Sequence, residues 1–118
     1  MDKEQLKKRT KQFAHRCVKI ALALPRGCLS DHIRSQLIRC STSVAANYRA
    51  VCIAQSKAGF ISKLGIVIEE IDESCFWMEF IIDEQLLSRQ KVNLLLQEAK
   101  ELTAIFVASR KTARKNVQ

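Results

Sequence analysis

Apolar side chains recur at every third or fourth position along most of this chain, which is the spacing of one face of an α-helix. The stripe of the first segment consists of Leu6, Thr10, Phe13, Cys17, Ile20 and Leu24. With three Gly and one Pro among 118 residues, the chain is also poor in the residues that form tight turns. The pattern therefore predicts an all-α fold and disfavours sandwiches and barrels.

Three short breaks divide the helical pattern into four segments. The breaks lie at residues 25–27, 55–57 and 87–90. The predicted helices span approximately residues 3–24, 31–54, 57–86 and 89–112, and Ser30 or Asp31 is the expected N-cap of the second. Because short connections favour antiparallel neighbours, we predict a single domain over residues 1–118, folded as an up-down-up-down antiparallel four-helix bundle.

The third segment carries more apolar surface than one face of a helix can bury in a small bundle. One stripe runs through Leu64, Val67 and Ile71, and a second stripe lies beside it. We interpret the surplus as the subunit interface of a homo-oligomer. The alternative is that this long helix lies deeper in its own bundle. The predicted interface residues are Ile61, Ile68, Cys75, Trp77 and Ile82.

The net charge of +8 is distributed unevenly along the chain. Residues 1–27 carry +6, residues 28–55 carry +2, residues 56–87 carry −5 and residues 88–118 carry +5. In an up-down-up-down bundle, the start of the first helix and the end of the fourth lie at the same end. Such a basic excess suggests a polyanionic partner, such as RNA, DNA or an anionic membrane surface. The alternative is that the charge serves solubility alone.

Nine basic side chains are predicted to form a phosphate-binding surface at that end. They are Lys3, Lys7, Lys8, Arg9, Lys11, Arg110, Lys111, Arg114 and Lys115. The tail from residue 112 onwards is also a candidate for disorder. Aromatic side chains are missing from these basic stretches. We therefore expect contacts with backbone phosphates and a weak sequence preference.

Neither a catalytic site nor a metal site is predicted. His15 and His32 lie far apart, and neither has an acid facing it. The five cysteines form no CxxC pair, and the acids of the third segment lack the Glu-x-x-His motif of di-iron bundles. We expect a protein that is not an enzyme and holds no metal or cofactor.

The chain contains no stretch of 18 apolar residues, and it begins without the pattern of a secretory signal. Its scattered cysteines are typical of small core hydrophobes in a reducing compartment. We therefore expect a cytoplasmic protein that does not contact a membrane.

Ser, Thr and Asn are concentrated in the middle of the second segment, although they are mediocre helix formers. Their small side chains permit a close helix–helix approach. We expect Asn47 and Arg49 to bond to acids of the third helix, since a paired network of this kind fixes register. The predicted network comprises Arg39, Ser43, Asn47, Arg49, Glu70 and Glu73.

At these residues the chain resembles the bacterial four-helix-bundle proteins encoded in intervening sequences of 23S rRNA genes. That family reads approximately Gln-Leu-x-Arg-(Ser/Ala)-x-x-Ser-(Ile/Val)-x-x-Asn, followed by Phe-Ile-x-Lys-Leu and a Glu-x-x-Glu-(Thr/Ser)-x-(Tyr/Phe)-Trp run. The matching residues are Gln36, Leu37, Arg39, Ser43, Val44, Asn47, Tyr48, Arg49, Ala54, Ser56, Phe60, Ile61, Lys63, Leu64, Glu70, Glu73, Ser74, Phe76 and Trp77. The resemblance covers about residues 10–110. More distantly, the chain is similar to the accessory variability proteins of diversity-generating retroelements.

The resemblance implies a four-helix bundle that assembles as a ring-like homopentamer with a basic surface. It also implies a role in binding RNA or DNA, or a reverse transcriptase in the retroelement branch, and it implies no catalytic residues. The chain departs from the family pattern at Ala50, where many relatives have Glu, and at Glu69, where Lys is expected. No salt-bridge partner for Arg49 is therefore carried over.

Two functional hypotheses follow. The first is a non-enzymatic, oligomeric basic bundle that binds nucleic acid through phosphate contacts. The second is a protein-interaction module, an accessory subunit that docks on a nucleic-acid enzyme such as a reverse transcriptase. A structural bundle whose charge only maintains solubility is the remaining alternative.

Overall fold

The computed structural model describes residues 1–116 and consists of four helices: α1 (Lys3–Leu22), α2 (Cys28–Cys52), α3 (Lys57–Asp83) and α4 (Arg89–Lys115). Each helix packs against its neighbours in the chain, and α4 returns to contact α1, which closes an elongated bundle of 51 × 22 × 20 Å. No strand occurs within residues 1–116. The predicted all-α four-helix bundle is confirmed.

The start of α2 differs from the predicted one. The helix begins at Cys28, because Gly27 occupies the cap position with a φ of 147° that favours glycine. Ser30 and Asp31 are therefore not N-caps. Both lie in the first turn, where the Ser30 side chain is buried and the Asp31 carboxylate bonds to Arg34 at 2.6 Å.

Arg34 also closes the end of α1. Its guanidinium donates to the carbonyl oxygens of Ala21, Leu24 and Pro25 at 3.1, 3.0 and 3.2 Å. The last carbonyl groups of a helix have no partner inside the helix, so a side chain from α2 takes that role here. α1 accordingly ends at Leu22 rather than at residue 24.

The last two helix ends also differ from the predicted ones. α3 ends at Asp83 instead of residue 86, in a turn where Gln85 has a left-handed φ of 57° and the Leu86 N–H donates to the Ile81 carbonyl at 3.0 Å. α4 runs to Lys115 instead of residue 112. The tail considered for disorder is thus helical up to Lys115, and residues 117–118 lie outside the described residues.

The core is formed by apolar residues of all four helices, and it includes most of the stripes predicted for the first and third segments. Phe13, Ile71 and Phe106 are fully buried there. The buried hydroxyls of Thr10 and Ser74 each donate at 2.9 Å to a carbonyl oxygen one turn earlier in the same helix. Within residues 1–116, every buried side-chain nitrogen and oxygen has a hydrogen-bond partner, so the polar residues of the core carry no desolvation penalty from a missing bond.

α3 buries its main stripe and keeps the second one at the flanks of the core. Ile68, Cys75 and Ile82 pack against the core and are half-buried. Helices of the same chain therefore cover much of the apolar surface that the sequence suggested for a partner. Phe76 is different, because 52% of its surface is exposed.

α1 is the shortest helix and does not span the whole bundle. It has 20 residues, whereas α2 has 25 and α3 and α4 have 27 each. Arg9 of α1 lies level with Glu98 and Glu101 of α4, so α1 begins well before the level of Lys115. At 1.5 Å per residue, α4 extends roughly 15 Å beyond the first turn of α1. One corner of the bundle is therefore open at this end.

The contact between α1 and α4 depends on Arg9 and Glu98. The guanidinium makes two bonds to the carboxylate, at 2.8 and 2.7 Å, and both side chains are largely shielded from water. We expect Glu98→Gln to lower the free energy of unfolding by about 1–2 kcal/mol, because charge-assisted hydrogen bonds are lost from a partly buried site. Urea unfolding followed by circular dichroism measures this change.

The matched control is Glu101→Gln. Its carboxylate lies 3.9 Å from Arg9 and is 63% exposed, so we expect a change below about 0.5 kcal/mol. Equal losses for the two substitutions would contradict the role assigned to Glu98.

Candidate nucleic-acid interface

Six basic side chains lie at the open end of the bundle, on the first two turns of α3 and the last two turns of α4. We call this set the cationic end; it consists of Lys57, Lys63, Arg110, Lys111, Arg114 and Lys115. Arg114 and Lys57 line one groove between the two helices. The Arg110 guanidinium lies against Gly65 of α3. Antiparallel packing therefore brings the start of α3 and the end of α4 into one basic surface.

The cationic end has no acidic partners among the described residues. The sequence contains no Asp or Glu from residue 32 to residue 68, and none from residue 102 onwards. Within residues 1–116, none of the six side chains takes part in an ion pair. Their charges are consequently available to an external anion, and their mutual repulsion is not neutralised locally.

A second basic surface lies between α1 and α2. We call it the α1–α2 groove; it encloses about 400 Å³ and is lined by Glu4, Lys7, Lys8, Lys11, Ala45, Ala46 and Arg49. The two alanines give the groove a shallow apolar floor. Lys7 is partly neutralised, because its ammonium bonds to Glu4 at 3.3 Å. The groove is thus less uniformly basic than the cationic end.

The nine basic residues predicted to lie at one end do not form one cluster. Lys7, Lys8 and Lys11 belong to the α1–α2 groove, and Lys3 precedes them on α1, whereas the four residues of α4 lie beyond the level at which α1 begins. The physical reason is the short length of α1, which the apolar periodicity did not reveal. Arg9 belongs to neither surface, since Glu98 occupies its guanidinium.

Part of the predicted polar network connects α2 to α3. The Arg39 guanidinium donates to Glu70 at 3.2 Å and also to Glu73, and the Glu73 carboxylate accepts a bond from the Trp77 indole N–H at 3.2 Å. The bond from Arg39, with a smaller contribution from Trp77, holds the pKa of Glu73 below its usual value. Because Arg39 is 51% exposed, the network is a surface link between two helices rather than a buried site.

The other predicted members of the network lie elsewhere. The Asn47 amide donates to the hydroxyl and the carbonyl oxygen of Ser43 at 2.8 and 3.0 Å, so it is bonded within α2. Arg49 faces α1, where it lines the α1–α2 groove, and forms no ion pair with α3 within residues 1–116. The expectation that Asn47 and Arg49 bond to acids of α3 was wrong. The Asn47 amide is satisfied within its own helix, and Arg49 faces a different neighbour from the one that Arg39 contacts.

The cysteines and histidines form no reactive constellation in the described part of the chain. All five cysteines are free thiols. Burial raises the pKa of Cys17 strongly, and it raises the pKa values of Cys40 and Cys75 to about 11 each, which disfavours the nucleophilic thiolate. The His32 ring lies edge-on to Trp77 at 5.4 Å. Within residues 1–116, no group of three His, Cys, Asp or Glu could hold a metal ion.

The residues predicted for an oligomer interface are spread along α3. Ile61 lines the groove next to Lys57 and Arg114, whereas Ile68, Cys75 and Ile82 pack at the edge of the core. Trp77 belongs to an aromatic strip, which we define as Phe76, Trp77 and Phe80; neighbouring ring centroids are 4.9 to 6.2 Å apart. No helix in the described residues is both long enough and apolar enough to cross a membrane.

Sequence reasoning missed one feature of the basic surface. Aromatic side chains are missing from the basic stretches themselves, but Phe60 of α3 lies beside the last turns of α4. Phe60 is near Lys57 in the sequence, at a position that fits the apolar periodicity of α3, and no sequence signal separates it from the core residues that follow from Leu64.

The link between α2 and α3 should give stability that depends on pH. A folded-state pKa below the ordinary value of about 4.3 stabilises the protein above that pH, and the contribution is lost as the pH falls through the lower pKa. We expect Glu73→Gln to be less stable than the wild type at pH 7 by up to about 1 kcal/mol, since the pair is partly exposed. In urea unfolding the difference should shrink as the pH falls below about 4, and it should be lost once Glu73 is protonated in the folded state.

Glu69→Gln is the matched control for this prediction. Glu69 is exposed and forms no ion pair within residues 1–116, so its substitution should change stability little at either pH. A difference between wild type and Glu73→Gln that stays constant from pH 7 to pH 3 would contradict the assignment.

Comparisons with known proteins agree with this architecture. The family described as 23S rRNA-intervening sequence protein matches residues 2–108. A crystal structure at 1.70 Å of a protein with unknown function from the S23 ribosomal protein family of Bacteroides thetaiotaomicron VPI-5482 has a TM-score of 0.79 and 27% sequence identity, covering 89% of this chain and 97% of that chain. No curated protein matches significantly. Because the family match extends over most of its length, the chain belongs to the 23S rRNA-intervening sequence protein family.

Proposed function

We propose that this protein is a non-enzymatic, basic four-helix bundle that binds nucleic acid through phosphate contacts. The family to which it belongs suggests an RNA-related role. The observation that carries the proposal is the cationic end, whose six basic side chains have no acidic partner within residues 1–116. Phosphates that bind such a surface release condensed counterions, which is the main source of affinity in non-specific nucleic-acid binding.

The contrast with other basic residues supports this proposal. Arg9, Arg34 and Arg39 each bond to an acid and connect helices or helix ends. Other basic residues, such as Lys19 and Lys91, also form no ion pair within residues 1–116, but the cationic end lies in the stretches of the chain that contain no Asp or Glu.

The interaction of basic side chains with the helix dipole distinguishes those that stabilise the fold from those that do not. Lys and Arg in the last turn of α4 interact favourably with the helix dipole, so Arg114 and Lys115 have a structural explanation. Lys57 does not, because it lies in the first turn of α3, where cations are unfavourable and no acid balances it. Its position costs stability, and a bound phosphate would offset that cost.

Several features favour a role without catalysis. The buried thiols of Cys17, Cys40 and Cys75 have raised pKa values, and no acid–histidine pair suited to proton transfer faces a cleft in the described residues. We propose that the protein is not an enzyme and needs no cofactor. Its free thiols suit a reducing cytoplasm.

Binding should depend on salt and on the cationic end. We expect a labelled single-stranded RNA of about 20 nucleotides to bind at about 50 mM salt and to lose roughly 100-fold or more in affinity at about 200 mM. The double variant Lys111→Glu/Arg114→Glu should weaken binding at least about 10-fold and lower the salt dependence. Fluorescence anisotropy measures both quantities.

The double variant Lys19→Glu/Lys91→Glu is the matched control, since it makes the same change in net charge with exposed residues at the opposite end of the bundle. We expect it to bind much more tightly than Lys111→Glu/Arg114→Glu. Identical losses would show a dependence on net charge alone, and no wild-type binding at low salt would refute the proposal.

We further propose that the protein is a homo-oligomer, and the family resemblance implies a pentamer. The aromatic strip supports this, because Phe76 is 52% exposed next to Trp77 and Phe80.

The second candidate function uses the same strip. It is a protein-interaction module that docks on a nucleic-acid enzyme such as a reverse transcriptase, and recovery of one stoichiometric protein without nucleic acid from the native host would favour it.

The aromatic strip gives a test of self-association. We expect the wild type to have a mass several times that of its 13.4 kDa chain by light scattering, and Phe76→Asp to lower this mass because a charge would have to be buried in the interface. Phe76 is exposed in the single chain, so its substitution should not unfold the helices. Leu94→Asp, at a side chain that is 70% exposed on α4, is the control. A monomeric wild type would exclude the proposed assembly.

A further inference from the structure

A groove lies at the open corner of the bundle, beyond the level at which α1 begins. It is formed by the connection between α2 and α3 on one side and the last turns of α4 on the other, and it encloses about 570 Å³. We call it the end groove. A volume of this size accommodates a group as large as a nucleobase.

The lining of the end groove combines one aromatic ring with uncharged polar groups. Phe60 provides a half-buried apolar surface. The groove is also lined by Gln55 and Asn116, which carry amides, and by Ser109 and Thr112, which carry hydroxyls. Amides and hydroxyls can both donate and accept hydrogen bonds, and the edges of nucleobases present both donors and acceptors.

Most of the basic side chains near the end groove lie beside it rather than inside it. Among the described residues, Lys57 is the single cation that lines the groove, whereas Arg114 and Lys115 lie in the last turn of α4, close to its polar residues. A site for phosphate alone, or for the carboxylates of an acidic peptide, would place cations inside the groove. Here the interior suits an uncharged planar group, and the surroundings suit phosphates on either side of it.

We propose that the end groove receives one unstacked base of a single-stranded nucleic acid, while the cationic end holds the flanking phosphates. This inference rests on the proposed nucleic-acid binding and adds a preference for unpaired nucleotides to it. A base in a duplex is stacked and paired, so it could enter the groove only after being extruded. Stacking on an aromatic ring tolerates every base, which agrees with weak sequence preference.

The test compares two probes that share a backbone charge. One is a fluorescein-labelled single-stranded RNA of about 12 nucleotides, and the other is an abasic oligonucleotide of the same length. We expect the wild type to bind the RNA about 10-fold more tightly, because one base stacks in the groove and the abasic chain offers only phosphates. An equal affinity for both probes would overturn the inference and leave the proposed phosphate binding intact. Failure to bind either probe would overturn both.

Variants of the groove make the test specific. Phe60→Leu keeps an apolar side chain but removes the ring, and Asn116→Ala removes an amide from an exposed position. Each should reduce the preference for RNA over the abasic chain to below about 3-fold without changing the affinity for the abasic chain. Asn93→Ala, which removes an exposed amide from the first turns of α4, should leave the preference unchanged.

Phe60 packs against the core, so circular dichroism must show that the Phe60→Leu variant is folded before its affinity is interpreted. Asn116→Ala carries the same inference from the protein surface and does not depend on core packing. The assignment of the end groove would be overturned if Asn116→Ala and a folded Phe60→Leu both kept the wild-type preference for RNA over the abasic chain.

Discussion

Small side chains line the contact between α2 and α3, where the hydroxyl of Ser74 lies 3.2 Å from the sulfur of Cys40. Both residues are buried, and the Ser74 hydroxyl also bonds to a carbonyl oxygen of its own helix. Close packing along this contact places the start of α3 directly beside the end of α2, and α4 then packs along the opposite side of α3. The positions of Lys57 and Phe60, and therefore of both proposed binding features, depend on this arrangement.

Two sets of basic side chains in this protein differ in whether they bond to other groups of the chain. Arg9, Arg34 and Arg39 bond to carboxylates or carbonyl groups and connect one helix to another. The basic residues of the cationic end have no such partners among residues 1–116. Pairing connects helices or helix ends at three separate places, whereas the cationic end keeps positive charge that no acid balances within residues 1–116.

The sequence predicted the number, type and order of the helices because apolar periodicity is a local property of each segment. It predicted helix ends less well, since caps use side chains from other elements. Arg34 of α2 closes α1, and no pattern within α1 indicates that contact. The same limit applies to the polar network: Arg39 and Arg49 are both basic residues of α2, but helix rotation directs one towards α3 and the other towards α1.

The sequence by itself determined an all-α bundle of four helices, a strongly basic balance in the first and last segments, and the stretches without acids. Only the tertiary structure decided which basic residues are free and which are paired, because pairing depends on the axial positions of the helices. The short α1 separates the predicted basic cluster into two surfaces and opens the corner where Phe60 meets α4. Periodicity determines which face of a helix is buried, whereas relative length and register determine which side chains meet at its ends.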